Sequence, residues 1–304
     1  MAAARIGIDL GGSKTEIIIL SETQIIWRKR EPTPAASYAA ILRLIVNLVQ
    51  QARAIAPAAS VGVGMPGAVT DQGRIKNANT VCLNGQPFRH DLEKSLACDV
   101  RVMNDANCFA LSEAIDGAAS ADPVVFAVII GTGVGGGLVI NRQLLEGRNR
   151  IAGEWGHNPL CKRASRSATA MRRCYCGKND CVETFLSGAG LQQSSQELLG
   201  ETISGIEISH RLKVADHKAQ RLMALYAEQL AASLAVVINI VDPHVVVLGG
   251  GLSNLPGIAA EVQQYLPRYV FSDTVKTRIV VNHHGDSSGV RGAAWLWPDL
   301  EFGK

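Results

Sequence analysis

The sequence predicts an α/β protein made of two lobes that share one plan. Each half opens with a β-strand, a glycine-rich turn and a returning strand, over residues 5–10 and 15–20 in the first half and 124–130 and 138–140 in the second. Apolar residues at helical spacing follow in each half. This repetition indicates an internal structural duplication, in which the two glycine turns would face each other across a cleft.

The remaining elements follow from the same patterns. Short apolar runs predict strands at 61–64 and 244–248, and a weaker run predicts a strand near 24–28. The helices predicted from apolar spacing cover residues 38–54, 105–117, 217–240 and 288–296.

A boundary between the lobes is predicted near residues 117–123, where small residues and Pro123 interrupt the pattern. We therefore expect a small N-terminal lobe over 1–119 and a large C-terminal lobe over 120–287. The C-terminal helix, within 288–304, is expected to pack back on the first lobe.

Composition limits the classes of function. The 304 residues are 47% hydrophobic and 19% charged, which is typical of a folded globular protein. Lysine and arginine number 30 against 27 acidic residues, and the net charge of +3 does not indicate nucleic acid or a membrane surface as a partner. No basic region followed by an apolar stretch opens the chain, so we expect a cytoplasmic protein whose seven cysteines are reduced.

The long uncharged segment 123–141 needs a separate explanation because its length is close to that of a membrane-spanning helix. Five glycines crowd its centre, and valine and isoleucine dominate its ends. Two strands joined by a glycine loop explain this pattern better than one helix does.

The first glycine turn has the composition of a phosphate-binding loop. Backbone N–H groups of its two glycines, and the hydroxyl and amine that follow them, can donate to phosphate oxygens. The carboxylate at its start suits a metal cation instead, and Mg²⁺ held through water is the expected partner. A simple hairpin turn remains the alternative. The residues concerned are Asp9, Gly11, Gly12, Ser13 and Lys14.

The second glycine turn has a similar composition. Its spacing also matches the dinucleotide fingerprint G-x-G-x-x-G, which requires a helix directly after the glycines. The strand-like run 138–141 follows instead, so the dinucleotide interpretation fails on context. The candidate nucleotide contacts in this turn are Gly131, Thr132, Gly133 and Gly135.

A third glycine loop follows the strand predicted at 244–248. Close backbone approach at Gly249, Gly250 and Gly251 suits contact with an adenosine group. A triple glycine alone is weak evidence. Three glycine loops that each follow a strand indicate a bound nucleotide more strongly.

A carboxylate lies where a strand is expected to meet a helix. Asn104 and Asp105 follow the strand-like run 100–103, and a carboxylate at such a junction can accept a proton from a substrate hydroxyl. Asp105 is therefore the candidate catalytic base. Its alternative role is that of a helix N-cap, which aspartate and asparagine often perform. Glu154 and His157 can in turn hydrogen-bond adjacent hydroxyls of a hexose, although a lone histidine is more often a packed or surface residue than a ligand.

Three cysteines fall within eight residues, at Cys174, Cys176 and Cys181. Thiolates at this density suit a tetrahedral zinc ion, with His157 as the fourth candidate ligand. Four protein ligands leave no open position, so the zinc would be structural. It would fix both His157 and Glu183 against a substrate. The alternative is three unrelated thiols in one loop.

Taken in order, these motifs resemble those of the ROK family of bacterial sugar kinases and repressors. The resemblance spans nearly the whole chain, and its most specific part is the Gly-Glu-Trp-Gly-His run with the cysteine pair. It implies an actin-like (ribonuclease H-like), two-lobed sugar kinase fold with duplicated mixed sheets. The matching runs are 9–14, 104–107, 131–137, 153–157, 174–183 and 248–251.

The resemblance also implies roles for single residues. Asp105 matches the family's catalytic base, and the glycine loops match its contacts to ATP and Mg²⁺. The ligands of a structural Zn²⁺ match His157, Cys174, Cys176 and Cys181. The positions that match sugar contacts are Gly67, Asn79, Asn104, Asp105, Glu154, His157 and Glu183. The implied partners are a hexose and MgATP, and a homodimer is expected on the same grounds.

Within the family, the runs 77–79, 83–87, 155–159 and 287–297 look closest to the manno(fructo)kinase branch. We therefore expect ATP-dependent phosphorylation of a hexose to its 6-phosphate, with fructose first and mannose or glucose next. The run 108–114 also resembles the N-acetylglucosamine kinases. Phosphorylation of N-acetylglucosamine or another N-acetylhexosamine is the alternative.

Two other classes are less favoured. Repressors of the family carry a DNA-binding helix-turn-helix ahead of the first phosphate loop, and Asp9 lies too near the first residue for one. A non-catalytic module that binds or senses sugar, or binds zinc, would not need Asp9, Asp105 and the glycine loops together.

Two features depart from the family pattern. Asp180 stands before the last zinc cysteine, where the family usually has glycine, so a different turn is expected there. The stretch 161–173 follows no family pattern, and we interpret it as a solvated loop. Its basic residues are Lys162, Arg163, Arg166, Arg172 and Arg173.

Overall fold

The computed structural model describes residues 4–161, 164 and 171–297, in which strands and helices alternate. The strands are β1 (Arg5–Leu10), β2 (Lys14–Ser21), β3 (Gln24–Pro32), β4 (Ser60–Met65), β5 (Ala68–Val69), β6 (Ile75–Lys76), β7 (Val100–Asn104), β8 (Val124–Ile130), β9 (Val134–Ile140), β10 (Gln143–Leu144), β11 (Val245–Gly249) and β12 (Arg278–Val281). The helices are α1 (Tyr38–Ile55), α2 (Phe88–Leu96), α3 (Asp105–Ile115), α4 (Glu183–Leu186), α5 (Gly188–Leu199), α6 (Gly205–Lys213), α7 (His217–Val241), α8 (Ile258–Tyr265) and α9 (Ser288–Trp295).

The chain divides into two compact units. Unit 1 consists of Met1–Ser120, Arg142–Ala152 and Asp286–Lys304, and unit 2 consists of Ala121–Asn141 and Gly153–Gly285. Each unit has a hydrophobic core of its own. The domain boundaries expected from the sequence stay a prediction.

Unit 1 is built on a mixed sheet of five strands in the order β3-β2-β1-β4-β7. β1, β2 and β3 pair antiparallel, whereas β1, β4 and β7 run parallel. In β2, Ile17 and Ile19 join the core beneath α1, and Ile18 and Leu20 join a second cluster beneath α9. This strand is a continuous apolar run because both of its faces are covered.

Helix α9 approaches the sheet closely because glycines lie at the contact points. A Cβ on Gly7 would overlap the carbonyl oxygen of Val290, and one on Gly62 would overlap that of Ala293. No side chain fits at either strand position. The close contact brings the first turn of α9 next to β1.

A buried carboxylate joins α9 to α3. Glu113 Oε1 accepts a hydrogen bond from Ser288 Oγ at 2.8 Å, and Glu113 Oε2 accepts one from the N–H of Ala118 at 2.9 Å. Arg291 pairs with Asp116 at the end of α3. These bonds hold the helix that begins at residue 105 against the sheet.

Unit 2 repeats the plan of unit 1. Its strands pair in the order β9-β8-β11-β12, with β8 and β9 antiparallel and β8, β11 and β12 parallel. In unit 1, β2-β1-β4-β7 have the same order and the same directions. The duplication predicted from the sequence is therefore confirmed at the level of the sheets.

One helix in the described part of the chain, α7, is long and apolar enough to cross a membrane. Its most apolar window is 61% buried inside the protein. Leu222, Tyr226, Leu230 and Leu234 all lie in the core of unit 2. This burial identifies α7 as the central helix of that core.

The second glycine turn is shorter than predicted. β9 begins at Val134 rather than at residue 138, so only Gly131–Gly133 form the turn. A Cβ on Gly136 would lie 2.9 Å from Cδ1 of Trp155, which crosses the strand there. Gly135 and Gly136 therefore lie in the strand, and Gly136 allows this close packing.

Candidate functional site

The predicted residues of unit 1 lie at one edge of its sheet. Because β1, β4 and β7 are parallel, their carboxyl ends lie side by side. Asp9 is near the end of β1, Gly67 follows β4, and Asn104 and Asp105 end β7 and begin α3. Ligands of open α/β sheets bind outside such strand ends.

Asn104, rather than Asp105, caps helix α3. Asn104 Oδ1 accepts hydrogen bonds from the backbone N–H groups of Ala106 at 2.9 Å and Asn107 at 3.3 Å. Its Nδ2 donates to the carbonyl oxygen of Gly67 at 2.9 Å. Asp105 Oδ1 also accepts the N–H of Ala106, at 2.8 Å, so this carboxylate shares one donor with the cap.

The first glycine turn is a hairpin turn, and hydrogen bonds from Thr33, directly after β3, hold it in place. Its own closing bond runs from the N–H of Gly11 to the carbonyl oxygen of Lys14 at 3.0 Å. Thr33 Oγ1 donates to the carbonyl oxygen of Gly11 at 2.8 Å, and the N–H of Thr33 donates to that of Ser13 at 3.0 Å. Gly12, Ser13 and Lys14 are exposed, so their donors can reach a ligand. Sequence reasoning missed Thr33.

A second loop of unit 1 carries two predicted sugar contacts. Gly67 has a φ of +82°, and a Cβ there would lie 2.5 Å from the carbonyl oxygen of Lys76. The side chain of Asn84 hydrogen-bonds both the N–H and the carbonyl oxygen of Ala78, at 2.9 and 3.0 Å. Asn79 follows directly and is exposed. Asn84 therefore supports this loop, a role that the sequence did not reveal.

The carboxyl group of Asp9 is in an unfavourable electrostatic environment. Burial is the largest cause that raises its pKa to about 7, and the charges of Asp105 and Glu16 add to it. Lys14 and Arg30 lower the same pKa without cancelling the shift. Asp9 is thus partly protonated at neutral pH. A divalent cation at this position would favour its charged form.

In unit 2, Glu183 fixes the second glycine turn. Glu183 Oε2 accepts a hydrogen bond from the N–H of Val134 at 2.9 Å. A Cβ on Gly133 would lie 2.8 Å from the same oxygen, so glycine is needed there. The N–H of Gly188 donates to the carbonyl oxygen of Gly131 at 2.7 Å. A strand follows this turn, which confirms the rejection of the dinucleotide fingerprint.

The third glycine loop lies beside the second. It ends β11, which runs parallel to β8, and a Cβ on Gly131 would lie 3.9 Å from the backbone N of Gly251. Gly250 has a φ of +82°, a conformation that favours glycine. No described atom lies within 4 Å of a Cβ built on Gly251. This open space and the exposed Thr132 suit contact with a nucleotide.

Glu154 and His157 flank a single 3₁₀ turn that Trp155 anchors. The indole N–H of Trp155 donates to the carbonyl oxygen of Gly135 at 2.8 Å. Its ring packs edge-on against Phe126, with ring centroids 6.0 Å apart. The anchor leaves Glu154 exposed and directs His157 toward the cysteine-bearing hairpin.

The structure brings together the predicted zinc ligands. The ligand atoms of His157, Cys174, Cys176 and Cys181 all lie within 4.8 Å of one another. His157 Nδ1 is 3.7 Å from Cys174 Sγ, and the sulfur atoms of Cys176 and Cys181 are 3.6 Å apart. Zn–S bonds of about 2.3 Å and Zn–N bonds of about 2.0 Å at tetrahedral angles give about 3.8 Å between sulfurs and about 3.5 Å between N and S. The residues therefore fit a closed zinc site.

Tyr175, between two of these cysteines, is a neighbour that the sequence did not mark. Its hydroxyl lies 3.1 Å from His157 Nε2, and the two rings meet edge-on. Burial is the first cause that raises the pKa of Tyr175 to about 12, followed by the charges of Glu183 and Glu154. The phenol therefore lies beside one predicted sugar contact of unit 2, His157.

The interpretation of 161–173 as a solvated loop is wrong for Arg172. Its side chain is only 2% exposed, and its guanidinium lies 4.1 Å from the ring centre of Phe185. Arg173 is exposed, and Lys162, Arg163 and Arg166 lie outside the described residues. The hydrogen-bond acceptors of Arg172 are the carbonyl oxygens of Thr184 and Gly190 and the side chains of Ser194 and Glu197.

Asp180 takes the backbone conformation that glycine favours. Its φ is +56°, which aspartate adopts more readily than most residues. Its Oδ1 accepts a hydrogen bond from the N–H of Arg172 at 2.9 Å, and its own N–H donates to the carbonyl oxygen of Arg172 at 2.8 Å. Aspartate therefore closes the metal-binding hairpin and ties it to the buried arginine.

The sequence profile of the ROK family matches residues 5–300. The chain belongs to the ROK family. This ROK protein is 40% identical over 296 residues to an N-acetyl-D-glucosamine kinase of Pectobacterium atrosepticum, a match that covers 95% of this chain and 97% of the relative. The particular resemblance to the manno(fructo)kinase branch stays a prediction.

Solved structures of ROK proteins have the same fold. The ROK hexokinase from Thermus thermophilus has a TM-score of 0.83 at 27% identity, with 96% of each chain covered. A ROK family glucokinase from Streptomyces griseus, in complex with glucose and AMPPNP, has a TM-score of 0.78 at 26% identity and covers 97% of this chain and 99% of its own. The predicted actin-like α/β class with duplicated mixed sheets is confirmed.

We expect this ROK protein to purify with about one zinc ion per chain, because four ligand atoms fit a closed tetrahedral site. Replacing Cys181 with serine removes one ligand and should release most of the metal. Elemental analysis after dialysis measures the content. Cys98→Ser, which changes a half-buried thiol of unit 1, is the control and should keep its zinc. Full retention of zinc in C181S would contradict the assignment.

Asp9 should also make stability depend on pH. A carboxyl with a raised folded-state pKa destabilises the fold as pH rises, and this cost is complete above about pH 7. In magnesium-free buffer, the free energy of unfolding of Asp9→Asn minus that of the wild type should therefore increase from pH 5 to pH 8. The expected increase is about 2–3 kcal/mol. Urea titrations measure it. Asp99→Asn, an exposed acid of unit 1, should show no such trend. A difference for D9N that is constant with pH would refute the expectation.

Proposed function

We propose that this protein is an ATP-dependent N-acetylglucosamine kinase that phosphorylates the 6-hydroxyl of its sugar. The observation that carries the proposal is the 40% identity, over 95% of the chain, to a relative named N-acetyl-D-glucosamine kinase. The local geometry supports a kinase, because each unit has a glycine turn with exposed donors and acidic side chains beside it.

The proposal corrects the order of the sugars expected from the sequence. Short runs placed fructose first and N-acetylglucosamine as the alternative. The match to the kinase of Pectobacterium atrosepticum extends over 296 residues, which is much stronger support than runs of a few residues. Glucose and mannose remain candidates for weaker substrates, since the solved relatives include a glucokinase bound to glucose.

Asp105 is the proposed catalytic base. It would accept the proton of the sugar's 6-hydroxyl while that oxygen bonds to the γ-phosphorus of ATP. The bond from that phosphorus to the bridging oxygen breaks, and ADP leaves with the electron pair. Because phosphoryl transfer depends mainly on positioning and charge neutralisation, a single well-placed base suffices. Asn104 fixes the first turn of α3 and so positions the Asp105 backbone.

The other predicted residues have supporting roles in this proposal. Asp9 would hold Mg²⁺ through water, and the ion supplies charge neutralisation for the phosphates. Exposed N–H groups of Gly12, Thr132 and Gly251 would donate to the nucleotide. Gly67, Asn79, Glu154 and Glu183 are the proposed sugar contacts. A cytoplasmic location and a homodimer stay predictions.

A sugar panel with one variant tests this proposal. With MgATP, the wild-type protein should have its highest kcat/KM for N-acetylglucosamine. Glucose, mannose and fructose, tested in the same way, should give lower values. Asp105→Asn should lower kcat about 10²–10⁴-fold, because it removes a general base but keeps the shape of the side chain. A coupled assay for ADP measures the rates, and calorimetry checks that D105N still binds the sugar.

The exposed acid Asp99 again provides the control. Asp99→Asn should retain wild-type turnover with every sugar. A higher kcat/KM for fructose than for N-acetylglucosamine would overturn the choice of sugar. Substantial turnover by D105N would overturn the role of Asp105.

A further inference from the structure

Tyr175 lies beside a predicted sugar contact, His157, although no motif assigned it a role. It lies in the hairpin that carries the candidate zinc ligands, and 77% of the residue is exposed. Its ring packs edge-on against His157 at 5.3 Å between ring centroids. An exposed aromatic residue that is oriented by a neighbouring ring is well placed to contact a ligand.

The hydrogen bond between Tyr175 and His157 fixes which group donates. Nδ1 of His157 faces Cys174 Sγ at 3.7 Å, on the side of the candidate zinc ligands. When Nδ1 binds the metal, the proton of the neutral ring is on Nε2. Nε2 then donates to the Tyr175 hydroxyl oxygen, 3.1 Å away. In this metal-bound form the phenol accepts from His157, and its own proton is left for solvent or a ligand.

The other predicted sugar contacts of unit 2 have few side-chain hydrogen-bond donors. Ionised Glu154 and Glu183 only accept hydrogen bonds, and Glu183 Oε2 is already used by the N–H of Val134. The one N–H donor of His157 is used by Tyr175. A sugar hydroxyl that donates to a carboxylate still has lone pairs to satisfy. The Tyr175 hydroxyl, beside His157, is a side-chain donor that can serve this purpose.

We propose that Tyr175 is a further sugar-contacting residue, whose hydroxyl is oriented by His157 and donates a hydrogen bond to an oxygen of the bound sugar. His157 then acts on the sugar through Tyr175 as well as holding the metal. The inference rests on the proposed function, because it names a contact of the same sugar. The Tyr175 hydroxyl would add a hydrogen-bond donor to the predicted sugar contacts of unit 2, which otherwise accept hydrogen bonds.

The test is Tyr175→Phe, which removes the hydroxyl and keeps the ring on His157. The dissociation constant for N-acetylglucosamine, measured by calorimetry without ATP, should rise about five-fold, as expected for the loss of one hydrogen bond. KM for the sugar should rise by a similar factor, and kcat should stay within about two-fold because the hydroxyl acts on binding. Zinc content and melting temperature should match the wild type.

The matched control is Tyr265→Phe, which makes the same chemical change on α8 in unit 2. It should leave sugar binding and KM unchanged. An unchanged dissociation constant in Y175F would overturn the inference, and so would tighter binding, which would mean that Tyr175 competes with the sugar for His157.

The two proposals fail in different ways. If the wild type binds N-acetylglucosamine but none of the sugars stimulates ADP release, the kinase proposal fails, and the binding constants still decide the role of Tyr175. If the wild type binds none of the sugars, both proposals fail. If wild-type turnover is normal and Y175F binds the sugar as tightly as the wild type, the inference alone fails.

Discussion

The repulsion between carboxylates at the sheet edge of unit 1 is the constraint on which the candidate active site depends. Burial and the charge of Asp105 raise the pKa of Asp9 to about 7, and nearby lysine and arginine offset this only in part. A fold selected for stability alone would not hold two acids in this way. The arrangement becomes favourable when a cation neutralises one carboxylate and the other takes a proton from a substrate. Phosphoryl transfer to an alcohol requires both of these functions.

Unit 2 uses the same strand–turn–strand plan for a different purpose. Its glycine turn is fixed by the hydrogen bond from Val134 to Glu183, and Glu183 begins the helix that directly follows the cysteine-bearing hairpin. Arg172 joins that hairpin to the next two helices through buried hydrogen bonds. The candidate metal ligands, a predicted sugar contact and a predicted nucleotide loop are therefore linked through a few residues.

The sequence predicted most of the fold because apolar periodicity and glycine turns are local signals. The strand β8 and the start of α3 were correctly placed, whereas the start of β9 was missed because its glycines fit under Trp155, a contact distant in sequence. The same limit applies to the site. Asp105 and the cysteines stand in recognisable runs, but burial of Arg172 and the bond from His157 to Tyr175 depend on tertiary packing. A basic stretch has the same appearance in sequence whether its arginines are solvated or buried.

Transfer of label from ATP to sugar is the most direct test of whether this protein is a sugar kinase. ATP labelled at the γ-phosphate is incubated with the protein, Mg²⁺ and N-acetylglucosamine, and the products are separated by chromatography. We expect the label to appear in N-acetylglucosamine 6-phosphate. Label that stays in ATP, or that is released only as inorganic phosphate, with this sugar and with glucose, mannose and fructose in turn, would contradict it.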